Sequence, residues 1–564
     1  MTEDQNPSGR FASIRTWTLI LVLGGFVALF LIHFAIVWKS VVNLPSDDEW
    51  ALLRDPDTLS LRWIWVQHNE HRIVTTKFLI WLLYHWDGWN LQTNVLINFI
   101  IFGVTLAWLI WVAKKLSPRL PLWAILGFTV FMLSPILWMN HLIGLQVCFH
   151  FWLLFFLIST YFLFGPIQNW QRLVIGGLAA AASLYSLGTG LSSVPIVFLL
   201  FCLFKLFRAY FANNKEERVR EVRQLGLTGA IVVGSTALWM VGFYAPNKRG
   251  LAWPYELAFW RQLLNLVSLA FGVEVISTAL GAICLLIVIA PVLWQVWKQR
   301  GQLTPQQWTS YATVIGILAT LASIAAGRAP FGIGWSKVSR YAEIGMPLII
   351  LSALNWNWVL QKRKTGATIA LLGLWCFCFV GFFDNWSFDR YWQRAANRRI
   401  GAICVKAYYQ QGGQGRCANL WRDPLAIELN VAKSLNASFY QEASSQIQRE
   451  TEATASHQIP AKPALVGVLD VANCQIIGGW ASQGPRSKSI ESVDIYDGDK
   501  LIQTVTADTF RHDVYNAGMG AYFSGFQIPT PPGLKDSKPH SIRARFAETT
   551  KDLRATPKTI TCAP

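Results

Sequence analysis

Long apolar runs broken by short polar connections dominate the first two thirds of the chain. Such runs recur near 16–38, 92–113, 120–136, 146–164, 173–187, 191–207, 225–244, 276–297, 308–326, 342–360 and 366–383. An α-helix rises about 1.5 Å per residue, so about 20 apolar residues cross a hydrocarbon core about 30 Å thick. The pattern predicts a mainly α, polytopic membrane protein with about eleven transmembrane helices in residues 1–383. The shortest pair, 173–187 and 191–207, is split by SLGTGLSS. Beyond the last run the pattern changes twice. Residues 384–441 hold many aromatics and arginines and predict an extracytoplasmic, membrane-proximal helical region. Residues 442–463, EASSQIQRETEATASHQIPAKP, show no apolar period and predict a linker. Residues 464–564 then alternate. SVDIYDGDKLIQTVTAD places apolar and polar residues in turn around Asp497-Gly498, a hairpin signal. Short strands bounded by Gly and Pro predict a small all-β sandwich there.

Composition sharpens the membrane reading. The 564 residues are 53% hydrophobic and only 14% charged, against about 25% charged in soluble domains. A net charge of +17 invites a nucleic-acid partner, but the basic residues form no single stripe. They recur in alternate connections: Lys114, Lys115 and Arg119; Arg172; Lys205 through Arg223; Lys298 and Arg300; Lys362, Arg363 and Lys364. The positive-inside rule assigns all of these to the cytoplasm, and no nucleic acid is implied. The first run follows Arg10 and Arg15, is too long for a signal-peptide core and lacks an A-x-A site, so it is expected to be a retained helix with a cytoplasmic N-terminus. An odd number of spans then puts the C-terminal domain outside the plasma membrane. Cys148, Cys202, Cys284, Cys376 and Cys378 fall in apolar runs as inert fillers. Cys404, Cys417, Cys474 and Cys562 fall outside and are expected to form two disulfides; the last two bracket the β domain, and spacing alone leaves connectivity open.

Three outside stretches carry chemistry. Asp47, Asp48 and Glu49, before Trp50, are adjacent acids soon after the first span. Their repulsion calls for a raised carboxylate pKa or a nearby cation, and such a carboxylate can serve as general base towards a hydroxyl; the plain alternative is a solvated acidic loop. The second stretch, Gln67-His68-Asn69-Glu70-His71-Arg72, is not a zinc motif: HExxH needs histidines four apart, these are three apart, and no cysteine lies near. A divalent ion held by Asp47, Glu70 and His71 is unspecific. A helix start with local His–Glu pairing is the plain alternative, with Arg72 and Lys77 bringing positive charge to the level of a lipid phosphate. The third, GRAPFGIGWSKVSRY over 327–341, holds Arg328, Lys337 and Arg340 with no acid before Glu343. A cationic outside loop runs against the positive-inside trend and suits an anionic ligand, lipid head groups or the acids of the first loop. Acids in one loop and cations in another suggest that one deprotonates an acceptor while the other holds an anionic leaving group.

An acidic pair in the first long outside loop of a roughly eleven-helix scaffold, followed by HNEHR and a late SRY, resembles the integral-membrane glycosyltransferases of the GT-C fold, in a bacterial branch. The likeness covers about residues 10–440. It implies a bacterial inner-membrane enzyme with a periplasmic C-terminal domain. Its reaction would be inverting transfer of a sugar from a polyprenyl-phosphate carrier to a glycan, lipid or protein acceptor. The carboxylate general base maps to Asp47 or Asp48, with Asp48 favoured. The phosphate-binding cations map to Arg72, Lys337 and Arg340, with Arg328 beside them. Glu49, His68, Glu70, His71 and Tyr341 are expected as supports. No nucleotide cofactor is implied; other cofactors are unknown and a divalent metal is left open. The branches named for oligosaccharyl, protein-mannosyl and aminoarabinose transfer have hallmarks that are not present. The expected partners are the lipid-linked sugar, its acceptor and membrane lipids. Residues 464–564 are similar to modules appended to bacterial carbohydrate enzymes, through GGWASQGP and FRHDVYNAGMGAYFSGF; there Trp480 and Tyr522 either stack on sugar rings or fill the core. Competing readings are an O-antigen polymerase or ligase, a lipid or sugar transporter, and a structural or sensory protein. The few mid-span charges and lack of internal repeats weigh against transport.

Overall fold

The computed structural model describes residues 7–55, 57–212, 214–245, 250–299, 302–418, 420, 425–455, 464–484, 487 and 489–564. They divide into two units: Met1–Val41, Leu59–Trp86 and Gln92–Trp392 form one, and Val42–Thr58, Asp87–Leu91 and Gln393–Pro564 the other. The long connection after the first apolar helix is thus divided. Its acidic part, 42–58, belongs to the second unit and its QHNEHR part to the first.

The first unit is helical. Among the described residues seven helices are long and apolar enough to cross a membrane: Trp17–Ser40, Leu91–Leu116, Gly144–Phe164, Gly190–Tyr210, Thr278–Lys298, Pro305–Phe331 and Lys364–Phe383. The bent pair Leu122–Leu133 and Pro135–Leu142 makes an eighth if it counts as one span. The other three expected spans are helices too. Trp170–Leu184 and Pro347–Leu360 have only 15 and 14 residues, which at 1.5 Å per residue fall short of a bilayer core. Lys215–Met240 is long enough, but KEERVREVR fills its first turns with charge. Large side chains on the outer faces stay uncovered, with Leu21 72%, Leu286 64% and Val380 73% exposed. A soluble protein rarely leaves so much contiguous apolar surface bare. Inside, sparse polar pairs tie helix to helix: Thr313 Oγ1 donates to Thr160 Oγ1 at 3.0 Å, and Trp375 Nε1 to the Gly127 carbonyl at 2.9 Å.

The second unit joins a helical layer to a β-sandwich. Helices Asp389–Gln410 (from Gln393), Ala426–Ser434 and Ser438–Ala455 pack with the short 3₁₀ turn Asp47–Arg54, where Arg54 Nε meets buried Glu428 at 2.5 Å. The expected linker is helical as far as Ala455, and 456–463 lie outside the described residues. Its few apolar residues conceal good helix formers. Phe439 and Ala443 are buried at its start, and Lys406 Nζ pairs with Glu450 at 2.7 Å. Among the described residues eight strands follow: β1 Val466–Ala472, β2 Ile476–Ser482, β3 Ser492–Asp497, β4 Lys500–Thr506, β5 Thr509–Phe510, β6 Phe523–Pro529, β7 Pro539–Phe546 and β8 Lys558–Thr561. They form two antiparallel four-stranded sheets, β1-β2-β6-β5 and β4-β3-β7-β8. Inward residues such as Leu469, Ile477, Ile495, Phe526 and Ile542 fill the core. The β3–β4 hairpin turns at Gly498, whose φ of +58° suits a residue without a Cβ. Cys404 is bonded to Cys417 and Cys474 to Cys562. The first bridge sets Arg416 beside Thr509, so the helical layer meets the edge strand β5.

Candidate functional site

QHNEHR folds as a tight turn rather than as the start of a helix. His68 and His71 exchange backbone hydrogen bonds of 2.8 and 2.9 Å, and Asn69 takes φ +50°, which Asn tolerates better than most residues. The helix begins afterwards, at Val74. The turn aims His71 at the SLGTGLSS break, where the Gly188 N–H donates to His71 Nδ1 at 3.1 Å. A backbone donor on Nδ1 leaves the proton of the neutral ring on Nε2. That nitrogen lies 3.8 Å from Glu70 Oε1.

Glu70 connects this turn to the cationic loop. Arg328 Nη2 donates to Glu70 Oε1 at 2.8 Å, and Arg328 Nε donates to the Tyr341 hydroxyl at 3.0 Å. The Arg328 guanidinium lies 5.8 and 5.7 Å from the Phe331 and Trp335 ring centres, and Arg340 lies 5.5 Å from that of Tyr341. Partial burial works against the charge on Glu70, but His71, Arg328 and Arg340 outweigh it and lower its pKa. Burial pushes His71 down to about 4; Glu70 opposes that fall, and Arg328 and Arg340 add to it. His68 is pushed to about 3, mainly by burial. At neutral pH the cluster therefore holds an ionised carboxylate, two neutral imidazoles and two guanidinium groups. Glu70 remains 37% exposed in its side chain and Arg328 23%, so an incoming anion or hydroxyl can reach them.

Two expected phosphate ligands are otherwise engaged. Arg72 is 4% exposed. Its Nε donates to the Trp239 carbonyl at 2.8 Å, its Nη1 to that of Trp65 at 2.9 Å, and its Nη2 to that of Val241. These carbonyls lie at the C-terminal ends of the helices Lys215–Met240 and Leu61–Trp65, which have no intrahelical donors left. Lys337 Nζ likewise donates to the carbonyls of Asn265 and Val273 and to Ser268 Oγ, at 3.0, 2.7 and 2.8 Å. Burial lowers its pKa to about 8. Both cations close helix ends: all three ammonium protons of Lys337 are engaged, and burial rather than a full set of partners keeps Arg72 from a phosphate. Lys77 does the same for Trp63 and Val66.

Glu343 holds the far side of the loop. Its Oε2 accepts from Asn140 Nδ2 at 2.6 Å, and its Oε1 lies 2.5 Å from His150 Nδ1, with both side chains buried. The same Asn140 amide reaches the Arg340 carbonyl at 3.1 Å. Nearby, the Tyr391 hydroxyl joins His33 Nε2 and His141 Nδ1 at 2.7 and 2.9 Å. Lone polar residues within apolar runs were the available signal for this network.

In the second unit the acids meet arginines. Asp47 takes φ +50° and pairs with Arg394, which also donates to Ser46 Oγ. Glu49, 1% exposed, accepts from the Ser46 N–H at 2.7 Å. Arg398 is buried beside them. Desolvation brings its pKa down to about 10, with Glu49 and Asp47 opposing the fall and Arg394 adding to it. Asp48 is half-buried next in the turn. The repulsion foreseen among the acids is thus met by cations from Asp389–Gln410. Arg394 and Arg398 fall four apart there, a spacing readable in the sequence, whereas Arg390, one turn earlier, pairs with Glu274. Among the described residues no three His, Cys, Asp or Glu side chains converge to hold a metal ion. In the sandwich Trp480 is 5% exposed and belongs to the core, while Tyr522 stacks on Tyr515 with ring centres 3.5 Å apart. Arg300 and the last residue of GGWASQGP, Pro485, lie outside the described residues. No protein-family model and no curated protein matches the sequence.

Proposed function

We propose that the protein is an eleven-span bacterial inner-membrane glycosyltransferase of GT-C type, transferring a sugar from a polyprenyl-phosphate carrier at its extracytoplasmic face. The observation that carries this reading is the meeting of Glu70, His71, Arg328, Tyr341 and Arg340, drawn from two connections about 260 residues apart, in one partly open cluster. Arg328 and Arg340 are the cations suited to the carrier phosphate; Arg72 and Lys337 drop out of that role. In the reaction a carboxylate takes the acceptor hydroxyl proton, the acceptor oxygen bonds to the anomeric carbon, and the bond from that carbon to the phosphate oxygen breaks. Polyprenyl phosphate leaves with the electron pair, and the guanidinium charges stabilise it. Within the cationic cluster that carboxylate is Glu70; the family resemblance points instead to Asp48, with Asp47 beside it, which belong to the second unit.

The test is sugar transfer from a polyprenyl-phosphate sugar in membranes bearing Asp47→Asn, Asp48→Asn, Glu70→Gln or Arg340→Gln. The expected result is loss of transfer by about a hundredfold or more in Arg340→Gln and in at least one carboxylate variant, at wild-type expression. Undiminished transfer in all four would discard the assignment. A second reading, a lipid or sugar transporter, draws on the buried His150–Glu343 pair and the His33–Tyr391–His141 group, since ionisable residues among apolar helices often mark ion paths. Uptake by sealed vesicles that disappears in Glu343→Gln, with no sugar transfer by the wild type, would favour it.

A further inference from the structure

We propose that the helical unit binds the phosphate head group of an anionic phospholipid in a basic cavity formed where six helix ends meet. This does not rest on the glycosyltransferase reading. The cavity, of about 1570 Å³, is lined at the ends of Leu91–Leu116, Thr278–Lys298 and Pro347–Leu360 and at the beginnings of Leu122–Thr129, Pro305–Arg328 and Lys364–Phe383. Small-ligand sites commonly span about 300–1,000 Å³, so this one can take a head group and the upper part of its chains.

Charge selects the occupant. Arg119, Lys298, Lys362 and Lys364 line the cavity, and no Asp or Glu does so among the described residues. The positive-inside rule accounts for cations at these connections. It does not account for their facing one concave volume unopposed. Neighbouring Lys114 turns inward and donates to the carbonyls of Pro118 and Leu120 at 2.8 and 2.9 Å. The four lining cations have no ion pair among the described residues. Lys364 also begins a 20-residue helix with no acid in its first turn and no side-chain cap, so helix dipole and side chain present the same sign. Gln299 Oε1 is buried without a hydrogen-bond partner among the described residues and offers an acceptor to a head-group hydroxyl.

The remaining wall suits acyl chains rather than a free anion. Trp123, Trp294, Trp358 and Trp375 line it with Leu371 and Leu372. Indoles favour the boundary between head groups and hydrocarbon, where one edge is apolar and the N–H meets polar partners. Basic pockets between transmembrane helices are the recurrent form of anionic head-group recognition.

The test uses the full chain, purified in mild detergent, with phosphatidylglycerol titrated by native mass spectrometry. The wild type is expected to retain phosphatidylglycerol over phosphatidylcholine. The variant R119Q/K298Q/K362Q/K364Q should bind phosphatidylglycerol about tenfold more weakly or worse. The charge-preserving K298R/K362R/K364R should bind as the wild type does, which separates lost charge from lost folding. R218Q/R220Q/R223Q, in another basic segment, should leave binding unchanged. Equal retention of the zwitterionic lipid, or unaltered binding by the quadruple variant, would overturn the proposal. Displacement of the phospholipid by inorganic phosphate would reassign the cavity to a free anion, and tighter binding of polyprenyl phosphate to a carrier lipid.

Discussion

Gly188→Ala tests how the turn at 68–71 is held. Built on the Gly188 backbone, a Cβ would stand 2.1 Å from His71 Nδ1, 2.9 Å from the Glu70 carbonyl oxygen and 3.0 Å from His71 Cγ. Ordinary carbon contacts begin near 3.5 Å, so the imidazole must retreat by more than 1 Å. That forfeits the hydrogen bond from the Gly188 N–H and moves Glu70 relative to Arg328. Overpacking costs about 1–3 kcal/mol and the lost bond about 1 kcal/mol, for a total of about 2–4 kcal/mol. Two measurements check this in the purified protein. The first is amide exchange across 66–73, which should accelerate because the paired His68 and His71 amides belong to the displaced turn. The second is a double-mutant cycle in unfolding with His71→Ala. Removing the ring leaves only the Glu70 carbonyl near the new methyl group, so more than half of the Gly188→Ala penalty should vanish in that background. Equal penalties in both backgrounds, with unchanged exchange over 66–73, would refute the contact and with it the fixed His71 tautomer.

Acidification should loosen the same turn. His71 has a folded pKa of about 4 against 6.5 unfolded, so between those values the unfolded chain binds the proton first; its contribution, at most about 3 kcal/mol, is complete above pH 6.5 and fades towards pH 4. Glu70, with its lowered pKa, acts in the same direction at lower pH. Unfolding midpoints from pH 7.5 to 4.5 should fall less steeply in His71→Asn, which keeps an acceptor near the Nδ1 position; parallel curves would count against the assignment. Arg72→Met should destabilise by about 3 kcal/mol or more, because three helix-end carbonyls lose their donor. It should leave the affinity for an anionic substrate unchanged in surviving protein, whereas Arg328→Gln should weaken it; a Kd shift in Arg72→Met at wild-type stability would restore that residue to the binding site.

Much of the architecture was legible because it is written in composition. Apolar runs announce helices, the alternation around Asp497-Gly498 announces a hairpin, and both cysteine pairs bond within segments where they were expected. The fate of each charge was not legible in this way, because partners arise only when distant connections meet. Arg72 and Lys337 looked equivalent to Arg328 and Arg340 along the chain. Their difference lies in orphan carbonyls at helix ends, which no local pattern reveals. The residues 442–455 misled for the opposite reason: a helix fastened by Phe439 and by Lys406–Glu450 needs no apolar repeat of its own. Gly188 gave no sign beyond a break between two short runs, yet it is the residue against which His71 is seated.

Sorting cations by what they meet separates structure from candidate chemistry better than counting them. Arg72, Lys77 and Lys337 meet backbone carbonyls, and the free energy of each is committed to closing a helix. Arg394 and Arg398 meet Asp47 and Glu49, so charge there is balanced locally. Arg328 meets an accessible Glu70, an arrangement an anion can reorganise by competing for the same donors. The cations of the basic cavity meet no ion-pair partner among the described residues, so their mutual repulsion falls when solvent ions or an anionic ligand enter. Where donors are already committed, substitution should register in stability; where they are balanced by exposed acid or left unopposed, it should register in binding.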